Sequence, residues 1–98
     1  MKNYLYIDDI RIPEKKQDYQ LYIARNYNEA INALTQQEFD IISFDHDIGI
    51  GKTGYDIAKY IVENNIKIKE GFFVHSSNPV GKFNIIQLLT HYGYKEIR

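Results

Sequence analysis

Phe39-Asp40-Ile41-Ile42-Ser43-Phe44-Asp45-His46-Asp47 decides the fold of this chain. Asp40 to Phe44 is a short apolar run with a β-branched pair, the pattern of a strand buried on both faces rather than of a helix. It ends abruptly in two carboxylates and an imidazole. Such groups cannot be buried cheaply without partners, so they must face a cleft. In open parallel α/β sheets that cleft lies at the carboxyl ends of the strands. Function therefore turns on which other residues arrive at the same edge.

Before this strand, Tyr4-Leu5-Tyr6-Ile7 reads as a first strand ending in Asp8-Asp9. Ile10 to Gln20 carries Pro13 and several charges without a helical apolar period, and is expected to be a loop. Leu21 to Ala24 reads as a second strand. Asn26 to Gln37 is a helix, with Asn26 as cap, Glu29 three residues on, and Tyr27, Ala30, Ile31 and Leu34 on one stripe.

After the strand, Ile48 to Thr53 is a glycine-bearing loop, and a second helix from Gly54 to about Asn64 buries Tyr55, Ala58, Ile61 and Val62. Gly71 is expected to break the chain before a fourth strand, Phe72-Phe73-Val74, which leads into His75-Ser76-Ser77-Asn78. Pro79 suits the first turn of a third helix. Phe83, Ile86 or Ile85, Leu89 and Tyr92 are expected on its inner face, with Gly93 ending it. Glu96-Ile97-Arg98 starts a fifth strand. Strands alternating with amphipathic helices mean a parallel sheet with right-handed crossovers. The first crossover is too short for a full helix, so one layer of the sandwich should be thin.

The bulk composition narrows the classes further. The 98 residues make one domain, 1–98, with 44% apolar residues and nine Tyr. With no Cys there are neither disulfides nor thiolate metal sites, and an intracellular, cytoplasmic setting is expected. No apolar stretch near the start suits a signal peptide or a membrane span. A net charge of −1 with scattered Lys and Arg argues against a broad surface for duplex DNA.

Four linked motifs carry a resemblance over nearly the whole chain: Asp8-Asp9-x-Arg11-x-Pro13, Ser43-Phe44-Asp45-His46-Asp47, Thr53-Gly54-x-Asp56, and His75-Ser76-x-Asn78-x-x-Gly81-x-x-Asn84. The chain resembles the response-regulator receiver domain, and more closely the divergent cyclic-phosphate-processing receiver family. The resemblance implies a flavodoxin-like three-layer sandwich, a parallel sheet of four to five strands in the order 2-1-3-4-5. It places Asp45 where receivers keep their phospho-acceptor, Asp8 and Asp9 where they keep metal-binding acids, and Ser76 near their Ser or Thr. The chain departs from receivers in stopping before their fifth-strand Lys and last helix, in lacking the first crossover helix, and in adding two His at the active edge.

In that strand order Asp8, Asp9, Asp45, Asp47, His46, His75 and Ser76 share one crevice. Crowded carboxylates repel, and a divalent cation is the usual relief. Asp8, Asp9, Asp45 and Asp47 are the expected ligands, with Mg²⁺ or Mn²⁺ favoured by oxygen donors and a transition metal tolerated by the imidazoles. His46, between two acids, and His75 suit acid/base work, with Asp45 and Asp8 beside them as catalytic candidates. Arg11, Ser76, Asn78, Lys82 and Asn84 are the candidate phosphate and substrate contacts, together with backbone N–H groups near Gly81. Each type also has an ordinary use: a strand-end Asp caps the next turn, and a lone His is more often a core or surface residue. His91, Asp56, Pro13 and Thr53 are read as structural.

The leading expectation is a phosphoesterase for a cyclic phosphate, a 2′,3′-cyclic RNA end or a small cyclic nucleotide. A non-catalytic sponge for a cyclic nucleotide and a receiver phosphorylated on Asp45 are the alternatives. The expected partner is a nucleotide or RNA end, with no duplex DNA and no membrane; a homodimer is an allowed assembly.

Overall fold

A computed structural model describes residues 1–97. Four parallel strands, β1 (Lys2–Ile7), β2 (Tyr19–Ala24), β3 (Phe39–Phe44) and β4 (Ile68–Val74), lie in the order β2-β1-β3-β4. Helices α1 (Tyr27–Gln36), α2 (Gly54–Glu63) and α3 (Pro79–His91) follow β2, β3 and β4. The expected fifth strand is rudimentary. Phe72 and Glu96 form one parallel bridge, with the Phe72 N–H donating to Lys95 O at 2.9 Å and the Ile97 N–H to Phe72 O at 2.8 Å. Arg98, the last residue of that expected strand, lies outside the described residues.

Alternation along the strands divides the sheet into two unlike faces. Leu5, Ile7, Ile42, Phe44, Phe72 and Val74 point to one face and form the main core with Ala30 and Leu34 of α1, Ile57, Ala58 and Ile61 of α2, and Ile85 and Leu89 of α3. Burial of each large aliphatic or aromatic side chain there contributes roughly 1.5–3 kcal/mol. The opposite face carries a smaller cluster of Tyr4, Tyr6 and Ile41, flanked by Tyr19, Leu21, Phe73 and Ile97. No helix covers this face among the described residues. The loop between β1 and β2 lies on it instead, with the Lys16 ammonium over the Tyr19 and Phe73 rings. This is the thin layer that a short first crossover requires.

Two local expectations need correction. Gly71 does not break the chain before β4 but lies inside it, where the pairing slips between Phe39↔Ile68 and Ile41↔Gly71. Its φ of 152° and the close passage of the Lys95 carbonyl explain the glycine as a bulge rather than a stop. On α3, Phe83 and Tyr92 are exposed, and the inner stripe is Gly81, Ile85 and Leu89. The helix is rotated from its apolar reading because Gly81 is drawn against His46.

The helix starts are as the caps require. The Asn26 carboxamide oxygen accepts from Glu29 N–H at 2.9 Å, while the Glu29 carboxylate reaches back to the Arg25 N–H at 2.7 Å. Thr53 and Asp56 form a reciprocal capping box on α2, and Asn78 caps α3 through the Gly81 N–H at 3.0 Å. Among the described residues no helix is long and apolar enough to cross a membrane.

Candidate active site

Register brings the site together. Tyr6 pairs with Ser43 and Ser43 with Phe73, so one row crosses three adjacent strands. One step on, Ile7, Phe44 and Val74 form the next row. The Asp45 N–H then donates to Ile7 O and the His75 N–H to Phe44 O, both at 2.9 Å. Asp8, Asp45 and His75 are therefore the third row, on the face that carries Tyr6, Ser43 and Phe73. A ligand atom from each lies within 4.8 Å of the other two.

Asp8 is fully buried and fully engaged. Its Oδ1 accepts from the backbone N–H groups of Ile10 at 3.0 Å and Arg11 at 2.8 Å. Its Oδ2 accepts from His75 Nε2 at 2.9 Å and, at a longer 3.4 Å, from the Arg11 guanidinium. Burial pushes the Asp8 carboxyl up, but the N–H groups of Arg11 and Ile10 and the His75 ring outweigh it and hold the group below its ordinary value. Asp8 is a carboxylate.

A carboxylate only accepts, so His75 Nε2 carries the proton and, in the neutral ring, Nδ1 is the acceptor. The Ser43 hydroxyl meets that Nδ1 at 2.7 Å. The ring also stacks on Tyr6, with centroids 4.4 Å apart and planes 6° from parallel. Burial pushes the His75 imidazole down from its ordinary value, while Asp8 and Asp45 pull partly against it. Burial raises the Tyr4 phenol, with Ser43 opposing in part. Ser43, His75 and Asp8 thus form one hydrogen-bonded line.

The remaining candidates divide by position. Arg11 lies at the rim, its guanidinium also donating to His75 O at 3.3 Å. Asp45 is buried and belongs to the cluster. His46 follows it and packs elsewhere. A Cβ on Gly81 would overlap the His46 ring, and His46 Nδ1 lies 3.1 Å from Asp47 Oδ1 and 3.5 Å from Asn78 Nδ2. Ser76 is buried and its hydroxyl accepts from the Asn78 N–H at 3.1 Å. Gly81 gives its N–H to the Asn78 cap, which removes that donor from the anion site expected at α3. Lys82 and Asn84 are exposed on α3 and make no side-chain hydrogen bond to the cluster among the described residues. Asp9 is half-buried and Asp47 exposed, and the group that meets within reach of one ion includes neither.

Two residues that position the site had no role assigned from sequence. Ser43 is, with Asp40, one of two polar residues in β3 and stands two before Asp45, hence on its face; that spacing was the available signal. Arg25 had none. Its guanidinium donates to Asp8 O at 3.1 Å and Arg11 O at 2.6 Å, pinning the turn that carries both.

The donor set suits a divalent cation. Two carboxylates and an imidazole converge, and the far nitrogen of His75 is braced by a hydroxyl, the usual outer support of a metal-bound imidazole. Ser43 either donates or accepts, so it tolerates the tautomer with Nδ1–H that metal binding at Nε2 requires. A mixed oxygen and nitrogen set favours Mn²⁺ or another transition ion over Mg²⁺.

A family model described as the cyclic-phosphate processing receiver domain matches residues 3–91. The chain belongs to that family. Among solved structures it is similar to a response regulator from Burkholderia pseudomallei whose crystals hold a phosphorylated aspartic acid, calcium ion and citrate. The identity is 16%, the TM-score 0.64, and the match covers 98% of this chain and 58% of that one. The chain thus spans little more than half the length of that regulator. A second similar structure is a yeast Spc42 trimeric coiled-coil segment fused to another protein, at 22% identity and TM-score 0.67, covering 97% of this chain and 68% of that one. At these identities the likeness shows the receiver fold alone. No curated protein matches the chain.

Proposed function

We propose that this receiver-like domain hydrolyses a cyclic phosphate at the crevice above Asp8, Asp45 and His75. The observation that carries the reading is the register-aligned row of two buried carboxylates and a half-buried imidazole, with the Arg11 fork at its rim. A receiver needs acids there. It has no need of an imidazole locked between a carboxylate and a serine.

In the reaction a water oxygen bonds to phosphorus, one ribose P–O bond breaks, the water proton leaves, and the departing ribose oxygen takes up a proton. The product is a linear monophosphate. Without an ion His75 has both nitrogens committed within the protein, and its work is then to fix Asp8 and the local charge. His46 is the proton carrier, held against Gly81 beside Asp45. Arg11 offers planar donors to phosphate oxygens, with Ser76 and Asn78 lining the α3 side. A divalent ion held by Asp8, Asp45 and His75 would supply Lewis-acid stabilisation of the pentacovalent phosphorus.

Incubation with 2′,3′-cyclic nucleotides, with and without Mn²⁺, tests this by chromatography of the products. Linear monophosphate is expected, lost in His46→Ala and His75→Ala; activity surviving in both variants would refute the assignment. The position of Asp45 in the receiver fold favours a second reading, phosphorylation of its carboxylate. Mass spectrometry after acetyl phosphate treatment decides it, and an unmodified Asp45 removes it.

A further inference from the structure

A second hollow opens beside the crevice on the same edge of the sheet. Asn26, Tyr27 and Asn28 from the start of α1, and Ile48, Ile50 and Lys52 from the loop after β3, enclose about 240 Å³. Ile48 is two residues from His46, so extended chain spans at most about 7 Å between them. Arg25, next to Asn26, donates to the carbonyl of Asp8. The hollow and the crevice are thus bound to each other at two points.

The lining is that of a site for a flat ring. Tyr27 packs its inner part on the core and offers its ring outward, with the Lys52 ammonium 5.3 Å from the ring centroid. Ile48 is a buried apolar wall. Ile50 is fully exposed, between Gly49 and Gly51, whose φ values of 96° and 97° turn the loop outward. An isoleucine presented wholly to water gains by being covered. Asn28 places a carboxamide at the rim, and Asn26, whose oxygen caps α1, adds its NH2; such groups read the polar edge of a base. Whole drug-sized ligands occupy roughly 300–1,000 Å³. This hollow is smaller, so it suits one ring system rather than a complete nucleotide.

We propose that this hollow is the base subsite of the phosphate crevice: a nucleobase stacks on Tyr27 beneath Ile50, displacing the flexible Lys52 side chain, which then turns toward the phosphate. The inference rests on the reading of the crevice as a phosphate site and adds that the substrate is a nucleotide held through its base.

The test compares adenosine 2′,3′-cyclic phosphate with methyl riboside 2,3-cyclic phosphate, which lacks the base. Calorimetry gives affinity and chromatography gives turnover for the wild-type chain and for Tyr27→Leu, which keeps the inner packing but removes the ring. Base stacking predicts about five- to 150-fold tighter binding of the adenosine compound to the wild type. That preference should collapse in Tyr27→Leu, with an unchanged circular dichroism spectrum. A preference absent from the wild type, or retained in Tyr27→Leu, overturns the subsite. So does a failure of both compounds to bind. Equal turnover of the two compounds leaves the hydrolase standing and removes the base subsite. A Tyr27-dependent preference without turnover does the reverse. A short RNA ending in a 2′,3′-cyclic phosphate, run in parallel, shows whether the base comes from a free nucleotide or from a strand end.

Discussion

The Ser43 hydroxyl lies 2.7 Å from His75 Nδ1, deep under the cleft, while the opposite nitrogen of the same ring is bonded to Asp8. A strand interior residue thus braces a histidine that lies 32 residues away in the chain and whose tautomer Asp8 selects. Ser43→Ala removes that partner and leaves a buried ring nitrogen without one, at a cost of about 1–3 kcal/mol. Nitrogen-detected imidazole spectra should show the His75 Nδ1 signal moving to that of an acceptor without a hydrogen bond, and turnover should fall while the fold persists. An unchanged His75 spectrum would mean that Asp8 alone orients the ring.

Acid should destabilise the domain in two steps. The His75 imidazole is depressed by burial, so the unfolded chain takes up the proton more readily, from an ordinary value of about 6.5. Its stabilising neutral form is fully present above that value, and the benefit is lost as pH falls from there toward the folded value. Asp8 is depressed too, although burial works against the lowering. Its contribution is full above the unfolded value of about 3.9 and is lost as pH falls through the folded one. Urea titrations across the acid range should resolve both steps, and His75→Gln should remove the upper one. A wild-type profile flat between pH 7 and 5 would contradict the burial argument.

Asp56 provides a test outside the site. Its depression comes chiefly from the Thr53 backbone N–H of the capping box, with burial opposing. Asp56→Asn should cost about 1 kcal/mol, a lowering of Tm by roughly 4–8 °C in a domain of this size. The loss should shrink at pH values below the folded pKa, where the wild-type carboxylate is protonated and makes the same weaker cap. A thermal melt at two pH values measures both.

The convergence of Asp8, Asp45 and His75 was legible in the sequence, because strand ends and strand order are enough to place three tips side by side. Which acids belong was not. Asp9 and Asp47 each stand next to a polar candidate in the chain, but chain proximity does not set direction once a strand has ended. The phase of α3 escaped for another reason. Phe83 and Tyr92 have the larger apolar surfaces, and a periodicity argument assigns them inward. The helix follows instead its Asn78 cap and the contact of Gly81 with His46, a close approach across loops that leaves no apolar pattern. Ser43 was visible as a polar residue in a largely apolar strand, but its partner was not.

The difference among the acids makes the proposed metal site testable residue by residue. An ion bound at one hundred times its Kd raises stability by about 2.7 kcal/mol. Thermal shift with Mn²⁺ should therefore show clear stabilisation of the wild type and of Asp9→Asn and Asp47→Asn. Asp8→Asn and Asp45→Asn should lose it. Mg²⁺ should act more weakly, since one donor is an imidazole. A shift that survives in Asp45→Asn, or that disappears in Asp47→Asn, would place the ion elsewhere.

Gly81 isolates the role of His46 from that of the buried row. The missing side chain lets α3 approach so closely that any Cβ would overlap the His46 ring, whereas the backbone conformation there is helical and free of strain. Gly81→Ala must therefore move the imidazole or push α3 outward, and the ring, which is partly exposed, is the easier to move. The helix itself gains from alanine, by roughly 0.8–1 kcal/mol in propensity, which offsets part of the packing loss. Stability should change little while turnover falls by an order of magnitude or more, since a small misplacement of a proton carrier is costly. Gly54→Ala serves as the contrast. There the added carbon would meet the backbone carbonyl of Asp45, which has nowhere to go. That variant should lose stability first. If Gly81→Ala keeps full turnover with its His46 resonances shifted, His46 is not the group that carries the proton.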